Sequence, residues 1–416
     1  MLFILPPLTQ LNTVYPSITH LTAYMRQNGI DAQQCDLGIE LIYRLFEEGN
    51  LKYIFDEASK KSKIPKSKIP KPLRSTISNS DFYLRNISSV LQFLSGKRLS
   101  LATRYANIEF WEGMYRLPDE EELEWSFGES GSVDRAKFLA SLFLKNICDV
   151  VQFAVDENFQ LIRYAEQLST YLSTFDELEA QLNKPLTFVG DLMIELLEEK
   201  MQQTAPKFVA ISIPFPGNLL AGLQCAKYLK VNYPDVKILL GGGYVNTELR
   251  ELSDTTIFKY VDYISYDDGE LPTLRIVQGG ELLRTAILNE DSVQFHQMDS
   301  KENPPFSTLP PPTYSGLPLD KYLNFVDTTN PMHRLWSDGR WNKLMLAHGC
   351  YWAKCAFCDT ALDYIARFES CDVSIIVDRM EAMIAETGES GFHFVDEAAP
   401  PVLLRKLAEE IIKRRL

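Results

Sequence analysis

Cys350, Cys355 and Cys358 fall within nine residues of one another in the segment GCYWAKCAFCDT, spaced C-x4-C-x2-C. Three thiolates on one short loop can face a single centre, and soft sulfur donors select iron–sulfur clusters or zinc over hard cations. A cubane held by three cysteines keeps one iron open to a ligand that is not protein. Zinc is the competing reading, with His348 as a fourth donor beside the three thiols. Zinc sites commonly pair two cysteine knuckles, and no second pair lies near, because Cys35, Cys148, Cys225 and Cys371 are scattered. An odd total of seven cysteines does not build a disulfide scaffold in a chain this long and fits a reducing, cytoplasmic compartment.

The elements that must position this loop read as alternating strands and helices. WNKLMLAHGC is a strand running into the cysteines; VSIIVDRMEAMIAE is a helix, GFHFVDEAAP a strand and PVLLRKLAEEIIKRRL a helix, giving two βα units. The second strand carries Asp396 and Glu397 at its carboxyl end, on the rim of the cysteine loop, where they either contact a ligand or cap the next helix. Upstream, MLFILPPLTQ, IDAQQCDL, KFVAISIPF, VKILLGGGY, VDYISYDDGE and RTAIL read as strands separated by helices. That alternation predicts an α/β fold with a doubly wound, Rossmann-like parallel sheet, whose ligands bind beyond the carboxyl ends of the strands. Gly241, Gly242 and Gly243 remove side chains where a large ligand must approach backbone, and Ser212, Pro214, Gly217 and Asn218 form the neighbouring rim.

Between about residues 40 and 205 the pattern turns to acidic, Leu-rich helix without strand runs, an all-α insertion whose apolar stripes are core. Lys60 to Arg74 holds seven cations and no acid, and its prolines argue for a solvated loop rather than a helix. Six prolines in residues 303–318 mark an extended, semi-rigid linker. The domain reading is therefore residues 1–290 for the sheet with its insertion, 291–340 for the linker and 341–416 for the cysteine-bearing part. The chain has 416 residues, 45% hydrophobic and 24% charged, the proportions of a folded globular protein. Forty-two Lys and Arg against 56 Asp and Glu give 42 − 56 = −14, which argues against a nucleic-acid footprint over the whole surface. Apolar stretches are interrupted before the ~18–20 residues of a membrane span, and MLFILPPLTQLN lacks the cationic region of a signal peptide.

The cysteine loop resembles the cluster loop of the radical S-adenosylmethionine (SAM) superfamily: a strand, then three cysteines with an aromatic residue, Phe357, just before the last. The gap between the first two cysteines is one residue longer than the commonest spacing there. The resemblance implies a 4Fe-4S cluster on Cys350, Cys355 and Cys358 whose open iron binds SAM, with Phe357, Asp396 and Glu397 as SAM contacts. An electron from a donor such as flavodoxin or ferredoxin would cleave SAM to methionine and a 5′-deoxyadenosyl radical, which takes hydrogen from a substrate not identified by the sequence.

Residues 1–40 and 205–290 resemble the cobalamin-binding domain of cobalamin-dependent radical SAM enzymes. The resemblance lies in PPLTQLNTVYPSITHLTAYMRQNG, SIPFPGNLLAGLQCAKYLK, ILLGGGYVN and VDYISYDDGE, in that order. It implies cobalamin contacts at Pro7, Ser212, Pro214, Gly217, Asn218, Gly241, Gly242, Gly243, Gly269 and Glu270. The Asp-x-His-x-x-Gly signature is absent and His20 lies in a predicted helix, so no protein histidine is expected on cobalt. The implied activity is methylation or another radical modification of a C–H position. The implied barrel needs more βα units than the two after Trp341, so the reading expects an N-terminal fragment, inactive alone, with a second chain completing the barrel. The alternative is a non-catalytic cobalamin-binding or interaction module with a vestigial cluster loop. A dinucleotide-binding oxidoreductase is weaker, because the glycines do not form G-x-G-x-x-G after the first strand.

Overall fold

Leu2–Leu5 form β1, four apolar residues buried on both faces, as a central parallel strand requires. The computed structural model describes the chain except residues 64–68, 129–130, 163–174, 298–301, 327, 330–339, 357 and 397. Six further strands join β1: β2 (Gln33–Asp36), β3 (Phe208–Ser212), β4 (Lys237–Gly241), β5 (Tyr263–Ser265), β6 (Thr285–Asn289) and β7 (Ser292–His296). Their order is β2-β1-β3-β4-β5-β6-β7. The first five pair in parallel, and β2 and β3 lie on opposite sides of β1. The chain therefore reverses its progress across the sheet between β1 and β3, the switch point of a doubly wound fold.

The sheet is mixed, however, where a purely parallel one was expected. β6 runs antiparallel to β5, and β7 antiparallel to β6, carrying the sheet to His296 and past the expected boundary at 290. Glu290 and Asp291 make the two-residue hairpin turn, Glu290 at φ 53°, without the Asn-Gly or Asp-Gly pair that would announce it.

The insertion is helical, from Leu37–Leu45 to Phe188–Thr204. Its centre is the helix Ser132–Ala154, whose Phe143 stacks on Tyr83 at 4.9 Å beside buried Trp111. The basic stretch departs from the loop reading at both ends. The helix Glu48–Ser62 finishes inside it, and the helix Lys71–Ser78 starts inside it with Pro72 in the first turn, where no N–H is needed. Residues 64–68 of that stretch lie outside the described residues.

The proline-rich linker is packed rather than free. Phe306, Tyr314, Tyr322, Leu323, Phe325 and Val326 are buried, because an extended proline chain leaves few N–H groups to satisfy and its aromatics supply the burial. Tyr322 donates to Asp36 Oδ2 at 2.9 Å, and Asp36 Oδ1 accepts from Gly38 N–H at 2.9 Å as the N-cap of the helix Leu37–Leu45. Burial pushes Asp36 from 3.8 up to about 6, against these hydrogen bonds. A raised carboxyl favours folding below its unfolded value, and that contribution is lost as pH rises from about 4 through about 6. Asp36→Asn keeps an acceptor and removes the charge. The stability difference between variant and wild type is expected to move by roughly 2–3 kcal/mol in the variant's favour between pH 4 and pH 7, read by urea unfolding at each pH.

Beyond the linker, β8 (Asn342–Leu344) pairs in parallel with β11 (Phe392–Phe394), and the helices Val373–Thr387 and Pro401–Arg414 follow them. The expected single strand into the cysteines is broken. β9 (Ala347–His348) turns away and pairs antiparallel with β10 (Glu369–Ser370). The break falls where Asp396 accepts from Leu346 N–H at 2.9 Å and Ala347 N–H at 3.0 Å, a side chain standing in for ladder carbonyls. No helix of the described residues is long and apolar enough to cross a membrane.

Candidate functional site

The linker fixes how the two α/β parts meet. Phe306 N–H donates to Glu369 Oε2 at 3.0 Å, Arg379 Nη2 donates to the carbonyls of Phe306 and Leu309 at 2.7 and 2.8 Å, and Tyr314 N–H donates to Glu386 Oε1 at 2.8 Å. The carboxyl ends of the sheet strands thereby face β8 and β11 across a cavity of about 930 Å³. Its walls include Phe3 of β1, Ser212 of β3, Gly241 and Gly242 at the end of β4, Gly269 and Glu270 after β5, and Lys343, His393 and Asp396 opposite. A smaller cavity of about 440 Å³ lies against the cysteine loop, lined by His348, Cys350, Cys358, Tyr364 and Arg367. The two share Asp268, Glu270, Met345, Val395 and Asp396, so they are neighbouring chambers of one cleft.

Cys350 and Cys358 are partly buried at the smaller chamber and Cys355 is exposed on the same loop. Among the described residues no three His, Cys, Asp or Glu side chains converge as a metal site. The donor set still suits a thiolate-bound cluster: three free thiols on one loop, two of them facing a chamber with room beyond them. Loading would then include drawing the loop together, as is usual where binding and local folding are coupled.

His348 does not offer itself as a fourth donor. Its Nδ1 lies 3.0 Å from the Arg367 carbonyl and its Nε2 2.8 Å from Asp268 Oδ1. Arg367 Nη2 reaches Asp268 Oδ2 at 2.6 Å, and Arg284 Nη1 approaches the same oxygen at 3.5 Å. Burial opposes ionisation of Asp268, but the His348 hydrogen bond and then the His348, Arg367 and Arg284 charges outweigh it and hold the carboxyl below its usual range. One carboxylate of the sheet thus ties down both flanks of the cysteine loop. Gly349, at φ 68°, lies so close to the Arg367 carbonyl that a Cβ would overlap it. Glu270 behaves oppositely: burial first and then the Asp268 charge push it above the usual carboxylate range.

The residues read from sequence sort by position. Ser212, Gly241, Gly242, Gly269 and Glu270 line the larger chamber, as does Asp396. Pro7, Pro214, Gly217, Asn218 and Gly243 are not among its lining residues. Asn218 is fully buried and donates to the Pro6 carbonyl and Thr9 Oγ1, both at 3.0 Å, so it locks one rim loop to another instead of facing a ligand. Pro214 presents its carbonyl to Gly243, where a Cβ would sit at 3.0 Å. Asp396 is not a helix cap: the helix Pro401–Arg414 has Pro400 at its N-cap and no side-chain cap. Phe357 and Glu397 lie outside the described residues.

Three chamber residues had no signal in the sequence. His20 reaches the wall from the helix Pro16–Gln27, and burial, then the Arg379 charge, lowers it to about 4, so the ring is neutral. Lys343 and His393 are cross-strand neighbours on β8 and β11. An alternation pattern could have shown that each shares a face with its strand's other inward residues, but not that the face fronts a cavity.

The chain is a mixed α/β protein in which a seven-stranded, mostly parallel Rossmann-like sheet and a cysteine loop line neighbouring chambers of one cleft. No family model and no curated protein matches it. Among solved structures it is similar to a radical S-adenosylmethionine methyltransferase, TsrM, from Kitasatospora setae, determined with tryptophan substrate and a SAM analogue (aza-SAM) bound. The identity is 14% and the TM-score 0.36, over 53% of this chain and 43% of that one, so the chain spans less than half of that protein's length.

Proposed function

We propose that this chain is a cobalamin-binding radical SAM protein that modifies a C–H position, with methylation as the leading reaction. The observation that carries the reading is the paired chamber: a C-x4-C-x2-C loop beside one space, opening past Asp268, Glu270 and Asp396 into a larger space at the switch point of a doubly wound sheet. Cys350, Cys355 and Cys358 would hold a 4Fe-4S cluster and the smaller chamber SAM, while the larger would take cobalamin against Ser212, Gly241, Gly242 and Gly269. A cluster held by Cys350, Cys355 and Cys358 would, when reduced, supply the electron for cleavage of SAM to methionine and a 5′-deoxyadenosyl radical. The chain's own part is to hold the loop, through Asp268 on His348 and Arg367, and to bring both chambers to one junction.

Flavodoxin or ferredoxin is the proposed electron donor. A second chain adding strands beside β11 is the proposed partner, supported by the exposed Val402 and Ile412 of the adjoining helix. The test is anaerobic reconstitution with iron and sulfide, reduction with dithionite, and quantitation of 5′-deoxyadenosine from SAM, with hydroxocobalamin titrated by its visible spectrum. About 4 Fe per chain and nucleoside release are expected. Stoichiometric zinc without iron uptake would sink the proposal. The second reading is a cobalamin module with a vestigial loop, and cobalamin binding without 5′-deoxyadenosine would select it.

A further inference from the structure

The helix Pro16–Gln27 packs on β1 and β2 through a buried face that includes Ile18, Thr22 and Met25. Its other face, with Ser17, His20 and Leu21 one turn apart, lines the larger chamber. Ser17 Oγ lies 2.7 Å from Ser212 Oγ, which ties the start of the helix to the end of β3. Leu21 packs at the loop after β5, where a Cβ added to Gly269 would sit 3.3 Å from Leu21 Cδ2. His20 thus stands on a stretch of wall fixed at one end to β3 and at the other to the loop after β5.

The His20 imidazole makes no hydrogen bond to a described residue, and burial followed by the Arg379 charge holds it at about 4. The ring is neutral at pH 7 and keeps a nitrogen lone pair. A polar ring taken from water without a partner costs free energy, and buried polar groups in native folds are ordinarily satisfied. The acids of the same wall do not serve it: Asp267 pairs with Arg250, and Asp268 with His348 and Arg367. The other histidines at the cleft are engaged, His348 through both ring nitrogens and His393 through Nδ1 at 2.8 Å from Lys343 Nζ.

We infer that His20 supplies a ring nitrogen to the cobalt of the cobalamin that this chamber is proposed to take. The inference rests on that functional reading and deepens it. It reverses the expectation drawn from the missing Asp-x-His-x-x-Gly signature, because here the histidine comes from a helix face rather than from that loop motif. A neutral imidazole nitrogen suits a first-row transition metal, and coordination would give the ring the partner that the protein leaves out.

The test uses the full chain without iron or SAM, in imidazole-free buffer, loaded with cobinamide. This corrin lacks the nucleotide base of cobalamin, so any nitrogen found on its cobalt in the complex comes from the protein. After reduction to cobalt(II) with dithionite, the bound corrin is read by electron paramagnetic resonance. Wild type is expected to show each cobalt line split into three by a single nitrogen, and protein labelled with ¹⁵N-histidine to show it split into two. His20→Leu and His20→Gln are expected to lose the splitting, with circular dichroism confirming the fold, and His393→Gln to keep it. Unsplit lines from cobinamide bound to wild type, or a splitting that survives in both His20 variants, would overturn the inference and leave the cobalamin reading standing. Failure of wild type to bind either cobinamide or hydroxocobalamin would overturn both.

Discussion

Alanine at Cys350, Cys355 or Cys358 is expected to lower iron after anaerobic reconstitution from about four atoms per chain to below about one, and to abolish 5′-deoxyadenosine release. The effect is large because the loop holds three thiols and the nearest candidate substitute is already engaged. Both ring nitrogens of His348 are committed, to the Arg367 carbonyl and to Asp268. In the proposed three-thiolate site, losing one thiolate would leave two iron corners open, and the cluster would no longer be retained. Cys371→Ala is the matched control. That thiol is raised by burial and lies beside Arg379 on the flank of a helix, outside the chamber lining, so iron is expected to stay within experimental error of wild type. Iron loss in Cys371→Ala, or full iron in Cys355→Ala, would reject the ligand assignment. Cys355 is the most telling position because it is exposed and its replacement costs the fold little.

Gly242→Ala is expected to be the most damaging single change in the sheet. Gly242 sits at φ 114°, and a Cβ there would lie 2.6 Å from the Ile213 carbonyl oxygen and 2.8 Å from the Ile213 nitrogen, atoms of backbone that cannot swing aside. Backbone strain and overpacking each contribute about 1–3 kcal/mol, so a loss of about 3 kcal/mol is expected. In a thermal scan followed by circular dichroism the first midpoint should fall by roughly 6–12 °C. Gly241→Ala separates fold from ligand. Its Cβ would meet the Ser265 carbonyl oxygen at 3.5 Å and the Ser265 Cβ at 4.0 Å, ordinary contacts, yet it would stand at the chamber wall. Unchanged melting with weaker hydroxocobalamin binding is the expected pattern there. A stable Gly242→Ala protein would show that the Ile213 backbone does not constrain this turn.

The three glycines illustrate how far the sequence reached. As a string, Gly241 to Gly243 signals close approach to backbone without saying what approaches. In the fold the three divide: Gly242 is required by Ile213 of its own sheet, Gly243 is crowded by Pro214, and Gly241 is the position where only a ligand would object to a side chain. The rim residue Asn218 divides in the same way, since its amide serves Pro6 and Thr9 rather than the chamber. The β6–β7 hairpin escaped because strand direction is not encoded in residue alternation and its turn lacks a glycine.

The cysteine spacing, the alternation of strands and helices on either side of the insertion, and the helical character of the insertion are legible along the chain alone. All of these are local: they depend on residues within one turn, one strand or one loop, where covalent geometry limits the outcomes. That Asp268 holds His348 and Arg367, 80 and 99 residues away, and that Lys343 meets His393 across 50 residues, emerges with the packing of the fold. Packing also makes the proline-rich segment a strap anchored by buried Phe306 and Tyr314 rather than a free spacer. Such pairings form when packing removes charged and polar groups from water and leaves them only each other for partners, and no spacing rule along the chain contains that information.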